Sequence, residues 1–170
     1  MDIQQIAAIV VALLACAADL RTKRIPNLLT FGAVAAAVPF AAVTAGWTGV
    51  GTALAGWLVG CALFFPMFAL GGLGAGDVKL LAALGAWLGP MPVAFVGLYA
   101  AIAGGVIGLA VSVHAGYLRT AFRNIGALLM FWKTVGLRPL PELTLAHGTG
   151  PRLAYAVPVL TGLMVTLWLL

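Results

Sequence analysis

Apolar residues fall along this chain in runs long enough for membrane helices, separated by short stretches rich in charge, glycine or proline. Residues 3–18 form the first run, and Asp19-Leu20-Arg21-Thr22-Lys23-Arg24-Ile25-Pro26-Asn27 breaks it. Pro26 disfavours helical backbone at Ile25 and suits the first turn of a new helix, which predicts a second span over 27–45. Gly46-Trp47-Thr48-Gly49 reads as a short turn with an interfacial aromatic, and a third span follows to Leu70, with a kink expected at Pro66. Next comes Gly71-Gly72-Leu73-Gly74-Ala75-Gly76-Asp77-Val78-Lys79, a glycine-rich turn ending in a carboxylate. The fourth apolar run, from Leu80 to Pro92, reaches only about 20 Å at 1.5 Å per residue, so part of the glycine turn is expected at membrane depth. Residues 93–113 make a fifth span whose Gly104, Gly105 and Gly108 offer a small-residue face for close helix contact. A long connection over 115–150 and a sixth span over 153–170 complete the chain.

Composition agrees with this pattern. Hydrophobic residues make up 64% of the 170 and charged residues 8%, too little polar surface to cover a soluble globule. The expectation is one all-α domain over 1–170, a polytopic bundle of about six transmembrane helices. Cys16 and Cys61 both lie inside apolar runs and read as packing residues, and His114 as an incidental interfacial residue. Leu13-Leu14-Ala15-Cys16 imitates a lipoprotein cleavage box, yet the first run lacks a positively charged n-region and is followed by cations.

Charge sets the orientation. All nine Lys and Arg residues belong to the connections 19–27, 71–79 and 115–152, which predicts those connections inside and the N-terminus outside. This placement also argues against nucleic acid, because the cations form no interleaved patch. Between 115 and 150, Arg119, Arg123, Lys133 and Arg138 alternate with Tyr117, Phe122, Ile125, Leu128, Phe131 and Trp132, the pattern of a basic amphipathic segment on an anionic leaflet.

Only four residues are acidic, and a carboxylate beside hydrocarbon-length segments points to function. Asp19 and Asp77 both fall at the predicted cytoplasmic face. Two such carboxyls, brought together, cannot both ionise; one keeps its proton while the other acts as general base on a shared water, without metal or cofactor. The glycines before Asp77 suit close approach of an extended substrate, with positive φ expected at Gly76. A proton relay or a structural hydrogen bond would use two membrane acids as well. For a shared water, the first and fourth spans must be neighbours and the carboxylates able to approach within about 3 to 6 Å, with about 10 Å tolerable at rest, in a water-accessible hollow lined by Gly74 and Gly76. Lys79, about 200° around a helix from Asp77, is expected off the carboxylate's face, in a topology or headgroup role.

Asp19-Leu20-Arg21 with Ile25-Pro26-Asn27, then Gly74-Ala75-Gly76-Asp77-Val78-Lys79-Leu80, then Tyr155-Ala156-Val157-Pro158, in this order, resemble the type IV prepilin leader peptidases. The short branch associated with tight-adherence pili is the nearest in kind. The resemblance implies an aspartic membrane protease of the bacterial inner membrane that cuts the leader from prepilin or pseudopilin precursors on the cytoplasmic side, after a glycine. It implies Asp19 and Asp77 as the catalytic pair, with Gly74, Gly76, Lys79, Pro26 and Asn27 as motif support or substrate-binding residues, and association with the pilus assembly machinery. Longer members carry a zinc-binding insert with paired cysteines near the N-terminus, and many methylate the mature pilin. No cysteine pair stands before Asp19 here, and no nucleotide-type loop follows a strand. The competing class is a proton-coupled carrier or an assembly scaffold, for which repeat symmetry between the halves would be expected; the first three and last three spans share no pattern.

Overall fold

The computed structural model describes residues 1–136, 138 and 153–169. Six helices follow one another: α1 (Ile3–Thr22), α2 (Asn27–Ala69), α3 (Ala75–Leu88), α4 (Pro90–His114), α5 (Leu118–Val135) and α6 (Ala156–Leu169). Three of them, α1, α2 and α4, are long and apolar enough to cross a membrane.

The 43 residues of α2 are two helices, not one. Gly46 has φ 60° and ψ −146°, a conformation that glycine takes without Cβ strain, and the chain folds back there. A methyl group on Gly49 would strike Ala45 and the Ala41 carbonyl, which a straight helix would hold two turns away. The two halves therefore correspond to the second and third apolar runs, joined at the predicted turn. Pro39 and Pro66 both lie inside α2, and Gly46 is its one residue with non-helical φ and ψ, so the helix continues through Pro66, where a kink is expected. Little helix is left to distort, since α2 ends at Ala69.

Helix α3 is the axis of the bundle. Every residue from Leu80 to Ala86 is buried, a helix apolar all round and wrapped on all sides. Asn27 meets Lys79 and Phe40 meets Trp87, so the first half of α2 runs parallel to α3. Gly56 lies on the backbone of Gly85 and Gly60 on that of Leu81, so the second half runs antiparallel. Neither glycine leaves room for a Cβ, which is how the short α3 comes into backbone contact with its neighbour. In α6, Gly162 rests on α4 at Val96 and Ala100, while Tyr155 covers Gly104; these two helices are antiparallel.

The directions converge. The end of α1 and the beginnings of α2, α3 and α6 meet at one end of the bundle, with Arg21, Lys23 and Arg24 in the first connection and Lys79 at the start of α3. Of the 115–150 connection, the described part is α5 with its flanking turns; the rest, with Arg152, lies outside the described residues, as does Leu170.

Candidate active site

The glycine turn is tighter than its composition suggests. Helix α3 begins at Ala75, with Gly74 as its N-cap in extended backbone (φ −79°, ψ 149°). Asp77 is therefore the third helical residue, where a carboxylate can reach back to the orphan N–H of the cap. It does so: the Gly74 N–H donates to Asp77 Oδ2 at 3.1 Å, and the Asp77 N–H donates to the Gly74 carbonyl at 3.1 Å. A Cβ on Gly74 would stand 3.0 Å from that same Oδ2, so the missing side chain is what lets the carboxylate fold onto its own turn.

Gly76 has a different role from the one expected. It lies within α3 and is not among the positive-φ residues, because placing Asp77 at the third helical position forces Gly76 to be helical too. Positive φ falls instead on Gly71, at the start of the turn. What Gly76 supplies is closeness. A Cβ there would lie 3.2 Å from Ile25 Cβ, so the Ile25-Pro26-Asn27 segment seats its isoleucine on the turn that carries Asp77.

Pro26 and Asn27 complete that seat. Pro26 is the N-cap of α2, not its first helical residue, and its carbonyl accepts the Leu29 N–H at 3.1 Å. Lys79 Nζ donates to Asn27 Oδ1 at 3.0 Å and stands 5.2 Å from the centre of the Phe31 ring. Lys79 thus turns onto α2, off the side of α3 that presents Asp77. It clamps two elements together, a role more particular than the topology or headgroup signal expected of it.

Asp19 sits in the last turn of α1, which closes at Lys23 in left-handed backbone (φ 54°) with the Lys23 N–H donated to the Asp19 carbonyl at 2.9 Å. Its side chain is buried, 7% exposed. There Asp19 Oδ2 accepts the Ala156 N–H at 3.2 Å, across 137 residues of sequence. Ala156 opens α6, so one orphan donor of that helix end is spent on the carboxylate. The preceding residue, Tyr155, packs edge-on against Phe64 with ring centroids 5.6 Å apart, and its ring lies over Gly104.

These contacts bring together the elements that carry the two acids. Helices α1 and α3 are direct neighbours. Helix α6, whose first N–H is spent on Asp19, touches both of them. Gly74, Gly76, Lys79, Pro26 and Asn27 all gather around the Asp77 turn. Tyr155 and Ala156 are residues to which sequence assigned no role in the site; Tyr155-Ala156-Val157-Pro158 stood out as the third block of the family resemblance, with no function attached to its members. An aromatic before a helix start is the one local signal there, and it says nothing about Asp19.

Residues 6–109 match the model of the type IV leader peptidase family. The chain belongs to that family. The matched stretch holds Asp19, Asp77 and all five motif-support residues, while α5 and the Tyr155-Ala156 corner lie beyond it. The chain is also similar to the prepilin leader peptidase/N-methyltransferase of Burkholderia pseudomallei strain 1026b, and equally to that of strain K96243. Each is 42% identical over 108 residues, covering 58% of this chain and 34% of the relative. The chain thus spans about a third of the length of these curated relatives. No solved structure matches it.

Proposed function

We propose that this leader-peptidase family member is an aspartic endopeptidase that removes the leader from prepilin-like or pseudopilin precursors, with Asp19 and Asp77 as the catalytic pair. The observation that supports this reading is that α1, which carries Asp19, and α3, which carries Asp77, are neighbours, with α6 against both and its first N–H on Asp19. Two acids brought close together favour a state in which one proton is shared between them. The ionised carboxylate takes a proton from water, and the resulting hydroxide attacks the scissile carbonyl. The protonated partner donates a hydrogen bond to that carbonyl oxygen as charge develops on it. Collapse of the tetrahedral intermediate breaks the C–N bond, and a carboxyl proton passes to the leaving amine.

The surroundings favour such a division of labour. Each carboxylate has one backbone N–H on its Oδ2, which fixes its rotation without occupying both oxygens. The six-span reading fits the helix directions once α2 is counted as two spans. With the cationic end of the bundle placed inside, it sets the N-terminus outside and the site at the cytoplasmic face of a bacterial inner membrane. The name of the Burkholderia relatives supplies the prepilin as substrate class; the tight-adherence branch and association with pilus assembly machinery belong to the same reading. The purified full-length chain, incubated with a pilin precursor, should release the leader at one bond, and Asp19→Asn or Asp77→Asn protein should leave the precursor intact. Cleavage by an aspartate variant at the normal rate would remove the two-acid mechanism.

A further inference from the structure

Helix α5 stands apart from the bundle that the site organises. None of its residues is buried, and Phe122 (64% exposed), Ile125 (52%) and Leu129 (59%) form a bare apolar ridge at helical spacing. Its position is nonetheless fixed. Gly116, at φ +64°, ends α4 with the Tyr117 N–H donated to the Ser112 carbonyl at 2.8 Å and the Gly116 N–H to that of Val113 at 3.1 Å. Asn124 Nδ2 then donates to the Tyr117 hydroxyl at 3.0 Å, bracing the first turns of α5. The result is an apolar cleft between α4 and α5, lined by Gly105, Gly108, Leu109, Leu118, Phe122 and Ile125. Sequence predicts a close helix contact along Gly104, Gly105 and Gly108. Only Gly104 has one, under Tyr155, whereas a Cβ on Gly105 or Gly108 would meet nothing.

Charge says what covers this cleft. Between Leu118 and Val135 there are three cations and no acid, and Arg119 and Arg123 follow directly on the cleft-lining Leu118 and Phe122. Both are exposed, on the flank of the apolar ridge. An apolar slot with two exposed arginines next in sequence to residues of its α5 wall, within reach of long flexible side chains, suits a phospholipid with an anionic headgroup. We propose that the α4–α5 cleft binds one anionic phospholipid, an acyl chain lying along Gly105, Gly108 and Phe122 and the phosphate held by Arg119 and Arg123. The inference is independent of the catalytic assignment, since no residue of the cleft belongs to the acid pair or its supports.

Native mass spectrometry of the full-length chain in detergent, titrated with phosphatidylglycerol or phosphatidylcholine, tests it. One phosphatidylglycerol should be retained at least about tenfold more tightly than phosphatidylcholine, on the scale of one surface cation's worth of attraction. Arg119→Gln/Arg123→Gln protein should lose that preference, with Arg→Lys at both positions restoring part of it. Gly108→Leu adds a side chain where a Cβ meets nothing and should weaken retention about fivefold or more while leaving the cations in place. Inorganic phosphate at the same concentration should displace nothing. Equal retention of the two lipids, wild-type retention by either variant, displacement by phosphate, or a lipid-free dimer whose interface is this face would each overturn the proposal.

Discussion

Asp19 and Asp77 are the same side chain in the same site, held in opposite ways. Asp77 is fixed by its own turn: cap, helix start and hydrogen-bond donor all lie within four residues, and the carboxylate is part-exposed. Asp19 is buried, and its donor comes from the far end of the chain. One carboxylate is thus set by local sequence and the other by the closing of the bundle. A pair built this way can be disturbed at one member through its own turn and at the other only through the packing of the helices.

Removing either acid gives the largest effect and ignores the difference between them. Asp19→Asn and Asp77→Asn should each lower leader cleavage about a thousandfold or more, since each deletes an acid–base partner while keeping size. The double variant should be little worse than either single one, because a pair acting as a unit is lost when one member goes. A double variant showing the product of the two losses would mean that the acids act separately.

Gly76→Val comes next. With 3.2 Å between the added Cβ and Ile25 Cβ, alanine needs a shift of a few tenths of an ångström and valine more, since its branches enlarge the contact. Misplacing Asp77 by about 1 Å is enough for a loss near a hundredfold. Gly76→Ala should fall well short of that. Adding Ile25→Ala to Gly76→Val should recover much of the activity; a double variant as inactive as Gly76→Val alone would show the glycine faces substrate and not Ile25.

The comparison is sharpened by disturbing the one backbone hydrogen bond on each acid. Gly74→Ala pushes on Asp77 Oδ2, and Ala156→Pro deletes the N–H that reaches Asp19 at a first helical position where proline is tolerated. A hydrogen bond to a charged group is worth about 1.5–3 kcal/mol, so each variant should lose about tenfold or somewhat more in kcat. Their melting temperatures should differ. Ala156→Pro unties α6 from α1 and should lower Tm by several degrees, whereas Gly74→Ala acts within one turn and should leave Tm nearly unchanged. Equal Tm losses would show that Asp77 is held by the bundle as well.

The same contrast explains what was legible in the sequence. The hairpin at Gly46 and the helix start at Asn27 follow from apolar run lengths and proline, which act locally, whereas the adjacency of α1 and α3 was expected only because a shared water requires it. Gly76 was misjudged because glycine marks both strained backbone and close packing, and only the position of the helix start separates the two. Likewise, the open face at Gly105 and Gly108 has the same spelling as a packed one. The Ala156 bond to Asp19 had no local trace, since nothing within a few residues of either reports a partner 137 positions away.

Lys79 gives the smallest effect and tests whether the local member of the pair also depends on its neighbour α2. Its ammonium bonds Asn27 and faces the Phe31 ring, both near the start of α2, next to the Ile25 that seats on Gly76. Lys79→Gln keeps a donor for Asn27 and loses the cation over the ring, an interaction of about 0.5–1 kcal/mol at exposed sites. Cleavage should therefore fall only about two- to fivefold, far less than for either aspartate variant. Asn27→Ala alone should cost a similar factor. If the two residues act through their mutual bond, the double variant should lose less than the product of the single losses, because the second substitution removes an interaction already broken. A full product would mean that Asn27 and Lys79 support the site independently, and a loss for Lys79→Gln as deep as that of Asp77→Asn would place the lysine on the substrate.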